Sequence, residues 1–280
     1  MPEFYCCAVD TRNREVSPRS AGRSLSYAAF AVIVVVYLAI IQFGGRLIGN
    51  WADESDTLTT RGVFFTMVIP LGIALVFTYG VVAALGWWRP VLKDDRPVSR
   101  WVWAVPAILL VAILVGIDYS ALSEKGWLFV VVLLVATQFV GWGEEGMFRG
   151  IGVTVLRRHG LREGQVALWS SIIFGAVHLS NVFGHGGASA IPQAVVVSLA
   201  GYFFYLIRRV SGSNALNSVM HGLFDFALLS GAAILLDQAF YPGTLAPILA
   251  YPVIAILLLV KRRDVERSGH AGAAPAAVQS

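Results

Sequence analysis

The sequence predicts an all-α, polytopic membrane helix bundle of about eight transmembrane helices, and three observations carry that prediction. Of its 280 residues 57% are hydrophobic and only 14% charged, where a soluble domain carries ~25% charged residues. Apolar runs recur at the length a helix needs to cross ~30 Å of hydrocarbon. The basic residues between those runs fall on alternate sides, as the positive-inside rule requires. Disorder and collagen-like repeats are excluded by the low charge and by glycines without a three-residue period. A disulfide scaffold is excluded because the two cysteines, Cys6 and Cys7, are adjacent.

In chain order the runs are 27–43, 63–88, 101–117, 127–158, 165–183, 190–207, 215–236 and 244–260. Trp87, Trp88, Trp101, Trp103 and Trp127 sit at run ends, where interfacial anchors belong. The fourth run is too long for one crossing and is expected to overhang or bend near Gly141, Gly143, Gly150 or Gly152. The first run follows Arg-bearing residues but shows no small-x-small cleavage site, so it reads as an uncleaved anchor. Cys6 and Cys7 read as unmodified thiols in a tail, acylation being the sharper alternative.

With the N-terminus cytoplasmic, the inner segments carry 17 of the 21 basic residues, among them Arg89, Lys93, Arg96, Arg157, Arg158, Arg208 and Arg209. The outer segments hold Arg46, Arg61 and Lys125 beside Asp53, Glu54, Asp56, Asp118, Glu124 and Asp237. Both termini are then cytoplasmic. The net charge of +4 reflects loops facing anionic lipid headgroups and needs no nucleic-acid partner.

A charge inside a membrane helix costs at least ~2.5–3.5 kcal/mol, so each one needs a reason. Here they cluster in the second half of the chain: Glu144, Glu145 and Arg149 in run four, His178 in run five, His221 and Asp225 in run seven. Glu144 and His178 each lie 14 residues from the inner end of their runs, about 21 Å deep at 1.5 Å per residue. His221 and Asp225 lie about 10 and 16 Å deep by the same rise. Three helices can thus bring these groups to one buried layer. Glu145 and Arg149 are spaced i, i+4 with the acid first, the order that favours a same-face ion pair, and are assigned a structural role. Glu144 points about 100° away, lacks a local cation, and is the candidate general base. His221 and Asp225 are again i, i+4 and face one way.

These residues resemble the CPBP family of intramembrane proteases, which includes the Rce1-like CAAX prenyl endopeptidases and members linked to bacteriocin processing or self-immunity. The resemblance lies in three motifs in order on successive helices: EExxxR (Glu144, Glu145, Arg149), FxxxH (Phe174, His178) and HxxxN/D (His221, Asp225). It spans runs four to seven, and the first three runs carry no such motif. The chain therefore divides into a cytoplasmic tail over 1–25, helices one to three over 26–124, a protease-like core over 125–262 and a disordered cytoplasmic tail over 263–280.

The resemblance implies that Glu144 and His178 hold and activate a water, and that His221 and Asp225 stabilise the oxyanion. An ionised Asp accepts hydrogen bonds but cannot donate one. Asp225 must therefore be protonated, orient a donor or bind a cation, and the first is expected here. No cofactor is favoured, although Glu144, His178, His221 and Asp225 could serve a Zn²⁺ with an open position. The expected substrate is a membrane-anchored protein or peptide, and the expected site is a bacterial plasma membrane. No sequence feature sets an oligomeric state.

Two other classes use similar residues. A proton-coupled transporter also buries acids and histidines, but its repeated halves are missing from this sequence, whose polar residues sit in one half. A catalytically idle scaffold or immunity protein would keep the motifs for stability. Among the remaining histidines, His159, His185 and His270 read as solvated. Phe174 reads as packing, and Asn181 as a minor polar contact.

Overall fold

The computed structural model describes residues 24–54, 59–182, 187–230 and 241–266. Cys6, Cys7, Asp56, His185, Asp237 and His270 lie outside the described residues. Among the described residues the regular structure is entirely helical, with one isolated backbone bridge between Lys93 and Ser213. The long helices are α1 (Tyr27–Ala52), α2 (Thr60–Leu85), α3 (Arg100–Gly116), α4 (Trp127–Arg158), α5 (Glu163–Val177), α6 (Gly187–Ser211), α7 (Asn214–Leu228) and α8 (Pro242–Val260). Over the described residues each apolar run of the sequence is thus occupied by helix.

Their ends follow ordinary capping chemistry. The Ser26 side chain accepts from the Ala29 amide at the start of α1. Gly86, at φ 68°, closes α2 in the left-handed conformation that glycine adopts without strain. In α2 a π-helical segment, Phe64–Val68, precedes Pro70 and takes up the register change that a proline forces on a helix.

The helices run alternately up and down. At one end the start of α1 meets the end of α4, where Tyr27 stacks on His159 with ring centroids 4.1 Å apart. The segment after α2 meets the end of α6 through the Asp94 amide bonded to the Gly212 carbonyl at 3.1 Å. The start of α3 meets the chain after α8, where the Ser99 amide bonds the Val265 carbonyl at 2.9 Å. At the other end Gln42 of α1 bonds Ser180 and Asn181 beyond α5, and the Tyr241 hydroxyl bonds the Val115 carbonyl at the end of α3.

Apolar side chains face outward: Leu47, Val76 and Val260 are 69%, 74% and 77% exposed. Buried polar groups face inward: Thr78, Thr137, Glu145, Arg149, Asn214, Asn217 and Ser218. That inversion is what a hydrocarbon solvent selects, because polar atoms have partners only inside the bundle. This is an integral membrane protein.

Eight crossings are expected from the sequence; among the described residues five helices are long and apolar enough to span a membrane, or six if α3 and the short helix Tyr119–Lys125, bent by 55° from it, form one span. The α-helical parts of α5 and α7 have 15 residues each, and the chain stays helical beyond them through His178–Asn181 and Leu229–Ser230. α7 buries Asn214, Asn217, Ser218 and His221, while α5 buries Ser170 and Ser171 on one face and exposes Leu168, Trp169 and Ile172 on another.

The C-terminal boundary also moves. Residues 263–266, assigned to a disordered tail on composition, pack back onto the protein. Val265 is buried and Glu266 pairs with Arg209 at 2.6 Å. The His159 ring is exposed as expected, but it is also held by Tyr27.

Candidate active site

The centre of the site is a defect in α4. From Glu145 to Gly152 this helix is π-helical, flanked on both sides by α-helix. A π segment sets following side chains in a new register and leaves backbone carbonyls outside the regular ladder. The π-helical segment falls among the glycines of run four, where an overhang or bend is expected, and the helix runs on through it as one 32-residue element. It places Glu144 at the last α-helical position and Glu145 at the first π-helical one.

Glycine sets the distance between α4 and α7. A Cβ on Gly141 would collide with the Ser218 carbonyl, and one on Gly222 would lie 2.5 Å from the Gln138 amide nitrogen. Without those Cβ atoms the backbones approach closely, the device that membrane helices use to pack. On α5 and α6, a Cβ on Gly175 would likewise overlap Ser198.

That close approach surrounds Glu145 with donors. Arg149 Nη1 donates to its Oε1 at 3.0 Å, and both side chains are fully buried. His221 Nδ1 lies 2.8 Å from the same oxygen. Asn217 Nδ2 donates to Oε2, and Asn214 Nδ2 to the Glu145 carbonyl at 2.9 Å. Glu145 therefore neutralises Arg149 and also fixes one nitrogen of His221. The two carboxylates are less separate than their angular spacing predicts, because His221 bridges them: its Nε2 lies 3.8 Å from Glu144 Oε2. Asp225 Oδ2 is 3.6 Å from that same nitrogen.

His178 Nδ1 lies 2.7 Å from the Phe174 carbonyl, one turn earlier on its own chain. A nitrogen that close to a carbonyl carries the proton, which leaves Nε2 of the neutral ring as an acceptor. Phe174 is more than filler. The Arg149 guanidinium lies 3.7 Å from its ring centroid, and His178 and His221 meet its edge at 4.9 and 5.9 Å. A cation over an aromatic face is stabilised where no water reaches it. Phe204 stacks on His221 at 4.5 Å.

Two chambers adjoin these groups. The smaller, about 70 Å³, is lined by Tyr37, Gln42, Glu144, His178, Ser180 and Asn181. At ~30 Å³ per water it has room for about two. The larger, about 420 Å³, is mostly apolar and lies among α6, α7 and α8, with His178, His221 and Asp225 on its wall. That volume is within the ~300–1,000 Å³ typical of ligand sites. His178 borders both chambers. Among the described residues, Glu144 Oε2 is buried with no hydrogen-bond partner, as are Arg149 Nε and Nη2, Asn217 Oδ1 and Ser218 Oγ.

The sequence missed several of these residues. Asn214 and Asn217 precede His221 and Asp225 on one face of α7, a polar stripe visible in the spacing. Tyr37 and Gln42 give no signal, being single polar-tipped residues in an otherwise apolar run. Asn181 is more than a minor contact, since it joins Gln42 to Gln193 on α6.

As to metal, no three His, Cys, Asp or Glu groups among the described residues are placed to hold an ion together.

Fold and site together define an integral membrane helix bundle with a buried cluster of acids and histidines on three helices. Residues 125–227 match the family model described as Type II CAAX prenyl endopeptidase Rce1-like, a family of proteases. The match covers α4 to α7 up to Ala227, bearing out the resemblance read from the three motifs. No curated protein and no solved structure matches the chain.

Proposed function

We propose that the protein is an intramembrane endopeptidase that hydrolyses a peptide bond of a membrane-associated protein or peptide with a water activated by Glu144 and His178. The observation that carries the reading is the convergence of Glu144, His178, His221 and Asp225, from three helices, on two adjoining chambers. The small polar chamber suits the water and the larger apolar one the substrate.

In the proposed reaction the water gives one hydrogen bond to Glu144 and the other to His178 Nε2. This directs its lone pair at the scissile carbonyl. As the water oxygen attacks, Glu144 takes a proton, and it returns that proton to the departing amine. The oxyanion forms beside His221 Nε2 and Asp225, in a setting of low dielectric where each donor counts for more than in water. That role requires a proton on both His221 nitrogens, with Nδ1 held by Glu145, and a protonated Asp225. Phe174 and Arg149 hold the two imidazoles in place.

The same reading extends to topology. With loops after α2, α4, α6 and α8 gathered at one end, the chain traverses the bundle eight times and both termini face the cytoplasm. The membrane is a bacterial plasma membrane. No step uses a metal, so activity is expected to survive chelation. Activity lost to chelator and restored by Zn²⁺ would refute that part.

The deciding experiment compares membrane and released peptides from cells expressing wild type or Glu144→Ala at equal abundance. Fragments that depend on Glu144 support an endopeptidase and identify its substrate. Identical peptide sets from two folded proteins would favour a transporter or an idle scaffold.

A further inference from the structure

A second cavity lies at the other end of α4, on the side where the N-terminus of α1 begins. It measures about 280 Å³ and is lined by Pro90, Lys93, Asp95, Arg96, Thr154, Arg157 and Arg158. We propose that it binds a phosphate group, supplied by the headgroup of an anionic phospholipid in the adjacent leaflet.

Charge is the first argument. The cleft is lined by Lys93, Arg96, Arg157 and Arg158 against one carboxylate, Asp95, with Asp94 and Glu163 bonded to Arg157 beside it. The carboxylates are already engaged. Asp94 holds Arg157 and Arg208 at 2.9 and 3.0 Å, Glu163 holds Arg157 at 2.5 Å and also Arg96, and Asp95 is turned to Arg89 at 3.3 Å. Lys93 is exposed and pairs with no carboxylate among the described residues. Guanidinium and ammonium groups converging on one concavity select phosphate, which offers several anionic oxygens at once.

Rigidity is the second. Val91, fully buried, seats the 88–97 segment against Gly150, where a Cβ would lie 2.6 Å from the valine methyl. The Asp94 carboxylate ties that segment to α4 and α6. The backbone that carries Lys93 and Arg96 is therefore fixed by buried contacts.

Position is the third. The Arg158 guanidinium lies 4.4 Å from the ring centroid of the buried Trp87, and Trp88 beside it is 47% exposed. Tryptophan marks the headgroup level of a bilayer, so the cleft opens where lipid phosphates lie.

The test measures binding of fluorescent phosphatidylglycerol by the full-length protein in neutral detergent, with fluorescent phosphatidylcholine as reference. Wild type is expected to prefer phosphatidylglycerol. Lys93→Ala and Arg158→Ala should each weaken it about fivefold, at ~1 kcal/mol per basic residue near a membrane surface. Lys125→Ala, at the opposite end of α4, should leave it unchanged. Lys93→Ala removes an exposed side chain, so its effect is readable even if Arg158→Ala unfolds the protein. Equal binding of both lipids, or unaltered binding by Lys93→Ala in a folded protein, would overturn the proposal. Displacement of the lipid by inorganic phosphate at equal concentration would assign the cleft to free phosphate and overturn the lipid source.

Discussion

The protein buries two clusters of charge on the same long helix, and they are built to opposite standards. At the C-terminal end of α4, Arg157, Asp94, Arg208 and Glu163 saturate one another. Asp94 accepts from Arg157, Arg208 and the Arg96 amide, and every guanidinium nitrogen of Arg208 reaches an oxygen. Further along the helix, Glu144 and Arg149 keep buried polar atoms with no hydrogen-bond partner. An unsatisfied buried polar atom costs about 1–3 kcal/mol and more when charged. A protein that completes one network and leaves the other open holds the open one ready for something else to complete. The first cluster reads as structure and the second as chemistry.

The sharpest way to break this contrast is Glu144→Gln. Cleavage should fall by about 10²–10⁴-fold, the range for losing a general base, while thermal unfolding in detergent stays unchanged or rises. A large loss of stability would place Glu144 with the structural cluster. Glu145→Ala should do the reverse. It strands Arg149 and should cost about 3–5 kcal/mol, seen as lost expression and a lower unfolding temperature. Replacing both, as Glu145→Gln with Arg149→Met, should recover part of that loss, because no charge is then left unpaired.

A smaller effect concerns Glu163, at the loop end of α5. Burial pushes its carboxyl up, but hydrogen bonds from Arg157 and Tyr205 and the charge of Arg157 outweigh this, bringing it from the ordinary 4.5 to about 2. A depressed folded-state value means its stabilisation is complete above about 4.5 and is lost as pH falls through about 2. Unfolding temperature should thus decline for wild type across that window more steeply than for Glu163→Gln. Equal slopes would remove Glu163 from the saturated cluster. The smallest effect is expected at Asp225→Asn, which should retain cleavage if the residue acts as a donor. A dead variant would mean that its negative charge is needed.

The sequence made half of this contrast legible. Hydropathy gave the bundle, and i, i+4 spacing gave the Glu145–Arg149 pair. Depth along the runs brought Glu144 and His178 to one level. The saturated cluster stayed hidden because Arg208 and Asp94 fall at run ends, where charges are ordinarily solvated, yet Arg208 is fully buried and Asp94 nearly so. The donors to Glu145 were hidden for a related reason. Asn214 begins a helix, where asparagine is expected as a cap, and its reach to another helix is decided by the glycine crossing of α4 and α7. The π segment has no periodic signature, only a density of glycines.

That segment also limits how the gene can change. Removing one residue between Glu145 and Gly152 would let α4 relax to a regular helix, turning everything beyond it by about 100° relative to Glu144. Arg157 would swing away from Asp94, and Thr154 from the Pro90 carbonyl, now 3.4 Å away. Substitutions in this stretch act locally, whereas a one-codon deletion would misalign both charge clusters at once. Length, more than any single side chain, is what this part of the protein has least freedom to lose.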